Sequence, residues 1–120
     1  MHNDVNTLKH RFKVFSVSVV LFVQKLPSNR TYEAMARQLI RSGTSAASNY
    51  RAACRGKSSK DFRAKMGIVE EELDESMYWL ELIVAISEDW RPLVTPIWKE
   101  ANELLAITVA SIRTSKRSAQ

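Results

Sequence analysis

Residues 42–48 read SGTSAAS, small side chains throughout, and the arginines of NYRAACR follow at once. Such a run is either a flexible linker or a helix whose backbone comes close to a neighbour. The flanking residues decide between the two. Projected at about 100° per residue, Tyr32, Met35, Leu39, Gly43, Ala46, Tyr50, Ala53 and Cys54 gather on one face, with the small residues Gly43, Ala46 and Ala47 in mid-face. A linker has no reason to hold that period through its serines. A helix packed closely against another does, because small side chains let two axes approach. The spacing therefore predicts a helix that begins after Ser28 or Asn29, both good N-caps, and reaches about Gly56, a natural C′ residue.

Three more helices complete the pattern. The first is predicted from about Asn6 to Leu26, where Pro27 ends it. Its middle, FSVSVVLFV, has the β-branched content of a strand, but an apolar run with so little polar face among helical neighbours reads as a helix buried on more than one side. In the turn KSSKDF, Ser58 with Asp61 three residues on resembles a capping box, so the third helix starts there and runs to about Glu88. It carries one stripe of Phe62, Met66, Val69, Leu73, Leu80 and Val84. A second apolar group, Ile68, Tyr78, Trp79, Leu82 and Ile86, lies on the opposite side. A helix in a monomeric bundle needs only one such face, and the second marks these five residues as a candidate oligomer interface. Thr95 as N-cap with Pro96 at the first helical position opens the fourth helix, whose Ile97, Ala101, Leu104, Thr108 and Ile112 share a side. The fold class expected is all-α, an up-down-up-down antiparallel four-helix bundle in a single domain spanning residues 1–120.

Composition narrows the chemistry. Three Gly and three Pro in 120 residues are too few for a turn-rich β chain. A lone cysteine, Cys54, builds no disulfide framework, so a reducing cytoplasm is the expected compartment and a buried inert thiol the expected role. The basic start and the apolar run Val14–Val23 have the outline of a signal peptide. Gln24, Lys25, Leu26 and Pro27 nevertheless replace a small-residue cleavage site, and the run is about half a membrane span. The acidic run Glu70–Glu75 invites a metal centre, but bundle di-iron sites need Glu-x-x-His pairs. Both histidines lie in the first ten residues, so no metal and no cofactor are expected. No nucleophile elbow or phosphate-binding glycine loop is present, and the chain is read as non-enzymatic.

Charge is the sharp feature. Residues 1–65 hold 13 Lys/Arg against 3 Asp/Glu, a net of +10, whereas residues 66–120 hold 5 against 10, a net of −5. The basic half belongs either against the acidic half or against an anionic partner. On the second helix Arg30, Arg37, Arg41, Arg51 and Arg55 fall within about 40° of the pole opposite the packing face. Thr44 and Ser48 fill the gap between them, and the row is roughly 38 Å long. Arginine is the better bidentate phosphate ligand, and Glu33 is the only nearby acid on this helix. These five arginines are the candidate nucleic-acid-binding residues, with RNA or DNA phosphates as partner. The rival reading pairs them with the acidic third helix, in a scaffold that binds only protein.

The stretch RQLIRSGTSAASNYRAACRGKSSKDFRAKMGIVEEELDESMYWLELI, Arg37 to Ile83, resembles the core motif of small bacterial four-helix-bundle proteins encoded in intervening sequences of 23S ribosomal RNA genes. The Ser/Ala-rich segment, Asn49, the arginines, the turn at 57–62 and the run E-x-x-E-x-x-x-W-L-E-L carry the likeness. It implies a homopentamer with no established catalytic activity, and it supplies no catalytic residues. A related bundle, the accessory protein of diversity-generating retroelements, is a basic pentamer that binds nucleic acid and a reverse transcriptase. By that analogy the resemblance implies an RNA- or DNA-binding accessory role, with a reverse transcriptase as a partner.

Overall fold

The computed structural model describes residues 5–118, with four long helices: α1 (Val5–Val23), α2 (Arg30–Cys54), α3 (Ser59–Ile86) and α4 (Arg91–Ser118). One 3₁₀ turn, Glu88–Trp90, precedes the last helix, and no strand occurs among the described residues. Asn29 caps α2, its Oδ1 accepting the Tyr32 N–H at 3.0 Å. The helix then runs through SGTSAAS without a break. Ser58 caps α3 by accepting the Asp61 N–H at 3.0 Å, while the Asp61 carboxylate reaches back to the Lys57 N–H at 3.3 Å. Two orphan donors are thereby satisfied, as in a capping box shifted by one residue.

Neighbouring helices run antiparallel. Phe12, early in α1, stacks on Tyr50 late in α2 at 4.5 Å, and Phe22, late in α1, meets Trp90 edge-on at the start of α4. Arg63 near the start of α3 donates to Ser115 near the end of α4, and Glu81 accepts from Trp98 nearer its start. The core between the helices holds Phe12, Phe15, Leu39, Leu73, Leu80, Ile83 and Leu104, all essentially inaccessible. Burial of each such side chain stabilises by about 1.5–3 kcal/mol relative to exposure.

The small residues of α2 do what the spacing requires. A Cβ on Gly43 would lie 3.1 Å from both Val19 methyls, so glycine is what lets α1 approach, and the Ser16 hydroxyl donates to the Gly43 carbonyl at 3.1 Å. On the other flank Ser42, which the apolar pattern passes over, is fully buried and hydrogen-bonded to the buried Ser76 of α3 at 2.8 Å. Ala46 between them is completely enclosed.

Several expectations change. Gly56 follows the helix end but does not adopt positive φ; a Cβ there would meet the Ala53 carbonyl at 3.0 Å, so it answers a shortage of space. Helix α1 stops at Val23, and tighter i→i+3 bonds carry the chain to Leu26. Helix α4 starts four residues earlier than Thr95. Pro92 lies in its first turn, where a missing N–H is harmless, and Pro96 sits inside the helix. The Thr95 hydroxyl does not cap; it donates to the Arg91 carbonyl at 2.8 Å. Trp90, packed on Phe22 and Tyr32, fixes the entry to α4 from the 3₁₀ turn. Finally, within the single chain α1 is buried on one side only. Val14, Val17 and Leu21 are 47%, 49% and 53% exposed.

Candidate nucleic-acid interface

All five arginines of the α2 row are solvent-exposed, but their surroundings differ. Arg41 lies on the flank that leans toward α3. Its guanidinium reaches Glu72 at 3.0 Å and Glu75 at 2.5 Å, and these carboxylates, above all Glu75, raise its pKa. Glu75 in turn is held below the usual carboxylate range, first by the Trp79 indole N–H that donates to it at 2.9 Å, then by Arg41. Part of the acidic run is thus a clamp between α2 and α3. Among the described residues no group of His, Cys, Asp or Glu is arranged to hold a metal.

Arg51 and Arg55 lean the other way, toward α1. The drift is geometric: at about 100° per residue the row fans across the outer face, from Arg41 on the α3 side to Arg51 on the α1 side. There they meet Lys9 and Lys13, which share one flank of α1 with Ser16 at i, i+4, i+7 spacing. The four cations rim a groove of about 500 Å³ floored by Ser16, Thr44, Ala47 and Ser48. Among the described residues no carboxylate lines it and none of the four cations has an ion pair. Arg30 and Arg37 stand on the same exposed face, also without an ion pair there.

The α2 row alone does not bring in the lysines, which lie on a different helix. Their spacing was the available signal. Arg11, between them, points to the opposite flank and forms a fork with Glu100 at 2.7 Å and Glu103 at 2.9 Å of α4. A recess of about 520 Å³ between α3 and α4 contrasts with the groove. It is lined by both signs of charge, Glu81 and Glu88 with Arg91 and Lys99, and Trp98 bonds Glu81 across it.

The second apolar group of α3 is divided as well. Ile68, Tyr78 and Ile86 are exposed, Tyr78 by 55%, while Trp79 and Leu82 are half-buried against the core. Cys54 is half-buried beside Tyr50, whose hydroxyl is pushed up, chiefly by burial and then by the bond to Cys54.

Comparison with known proteins agrees with the fold. The model of the family described as 23S rRNA-intervening sequence protein matches residues 7–110. The chain is similar to the crystal structure of a protein of unknown function from the S23 ribosomal protein family of Bacteroides thetaiotaomicron, with 29% identity and a TM-score of 0.83 over 91% of this chain and 97% of that one. No curated protein matches the chain. No helix among the described residues is long and apolar enough to cross a membrane. A match that spans all four helices and a shared backbone lead to one conclusion: the chain belongs to the 23S rRNA-intervening sequence protein family.

Proposed function

We propose that this protein is a non-enzymatic, oligomeric accessory protein of the cytoplasm that binds RNA or DNA phosphates through the outer face of α2. The observation that carries this reading is the groove in which Lys9 and Lys13 join Arg51 and Arg55 with no acid among its lining residues. Four like charges held together repel one another and lower stability, an arrangement that a polyanion relieves. By analogy with the accessory proteins of diversity-generating retroelements, the proposal extends to a reverse transcriptase as partner. Assembly into a homo-oligomer, a pentamer by family resemblance, would cover Ile68, Tyr78 and Ile86 of α3 and Val14, Val17 and Leu21 of α1, all exposed in the single chain.

One observation favours the protein-only scaffold: Arg41 is already engaged by Glu72 and Glu75. Its engagement removes one arginine from the row and leaves four. An electrophoretic titration against RNA and DNA across salt tests the proposal. Affinity should fall steeply with salt, at about 0.7–0.9 in log K per unit log salt for each phosphate neutralised. No binding above background at physiological salt would contradict it. For assembly, light scattering should show a discrete oligomer, and a monodisperse 13.7 kDa species at micromolar concentration would contradict that part.

A further inference from the structure

The groove has a chemically specific floor. Ser16 donates its hydroxyl proton to the Gly43 carbonyl at 3.1 Å, Thr44 to Ile40 at 2.7 Å, and Ser48 to Ser45 at 3.2 Å. Each hydroxyl has one proton to give and two lone pairs to receive with, so with these bonds in place the three present acceptors to a bound molecule. A phosphodiester carries no proton at neutral pH and gains nothing from them. The cations on the rim are what a phosphate can use. The floor therefore suits a ligand that brings a hydrogen-bond donor close to its own phosphates.

We propose that the α1–α2 groove is an RNA site, in which Lys9, Lys13, Arg51 and Arg55 hold backbone phosphates while the oxygens of Thr44 and Ser48 accept from ribose 2′-hydroxyls. The 2′-hydroxyl is the one backbone group that donates and that DNA lacks. Base amino groups also donate, but reading them would give sequence-dependent affinity shared by RNA and DNA. An acidic protein segment satisfies the cations and leaves the floor unused. This inference rests on the nucleic-acid reading above and narrows its ligand.

The test is a titration of the full chain with a single-stranded oligoribonucleotide and the deoxyribonucleotide of identical sequence, uracil retained in both so that only the 2′-hydroxyl differs. RNA should bind roughly three- to tenfold more tightly, the effect of one or two hydrogen bonds. The double variant Thr44→Val/Ser48→Ala should lower RNA affinity to the DNA level and leave DNA affinity unchanged. A loss caused only by a disturbed helix would lower both. Equal wild-type affinities, or an RNA preference that survives in the double variant, would overturn the proposal. If both nucleic acids bind equally and both are lost in Lys9→Ala/Lys13→Ala, the inference fails but the broader reading survives. If neither binds, the broader reading fails too. Displacement of the RNA by poly-glutamate at equal charge concentration would assign the groove to an acidic protein partner and overturn the proposal.

Discussion

The two flanks of α2 use the same residue type in opposite ways. Toward α3, Arg41 meets Glu72 and Glu75, and the small residue beneath it, Ser42, closes a buried hydrogen bond with Ser76. Toward α1, Arg51 and Arg55 meet Lys9 and Lys13, while the small residue Gly43 brings the helices together against Val19. Packing is tight on both sides, so packing does not explain the difference. What differs is the charge that the neighbouring helix brings. One flank is internally neutralised and contributes to cohesion. The other gathers four cations around one groove with no acid among its lining residues. Identical arginines on one helix face are thus not one site, and the partner helix decides which are available.

The largest effect that would break this contrast is on binding. Reversing Lys9, Lys13, Arg51 and Arg55 to glutamate should reduce nucleic-acid binding to background while the helical circular dichroism signal and the oligomer size are retained, since all four lie away from the buried core. Loss of assembly in that variant would instead favour the scaffold reading. Next in size is packing. Ala46 is fully enclosed between the flanks, and Ala46→Leu should cost about 1–3 kcal/mol by overpacking. At this chain length that is a fall in melting temperature of roughly 4 °C per kcal/mol. An unchanged melting temperature would mean that the small-residue face is open.

The smallest effect sharpens the neutralised flank. Arg41→Ala should cost less than about 1 kcal/mol, because its partners are partly solvated. That difference should depend on pH in a defined direction. The Glu75 pKa is lowered in the folded chain, so its contribution is present above its unfolded value of about 4.3 and is lost as pH falls through the folded value. Denaturation of wild type and Arg41→Ala should therefore differ at neutral pH and converge in acid. A difference that persists there would show that Arg41 acts through its aliphatic stem rather than its charge.

Much of the fold was legible because short-range rules dominate it. Asn29 and Ser58 cap where their side chains permit, and Gly43 and Ala46 mark close approach wherever a helix carries them in mid-face. The failures are places where tertiary contact overrides a local signal. Thr95-Pro96 is a good helix start in isolation, yet Trp90, lodged against Phe22 and Tyr32, begins α4 earlier and leaves Pro96 inside. Ser42 was invisible to an apolar period because its burial is satisfied by another serine far along the chain. The site was half legible. A helical wheel places five arginines on one face, and pairing with the acidic third helix was the rival reading. The wheel says nothing of which helix stands beside each arginine, so neither the choice of Arg41 for the clamp nor the placement of Lys9 and Lys13 beside Arg51 and Arg55 could be read from it.

The central claim is that the flanks of α2 divide into a neutralised and an available half. It is tested most directly by the salt dependence of nucleic-acid binding for wild type, Arg41→Ala and Arg51→Ala, measured side by side on variants of matched oligomer size. Arg51→Ala should reduce the slope of log K against log salt by roughly one contact per subunit engaged, and should lower affinity about equally for unrelated sequences. Arg41→Ala should leave the slope unchanged. Equal losses of slope in the two variants, or a loss in Arg41→Ala alone, would contradict the account.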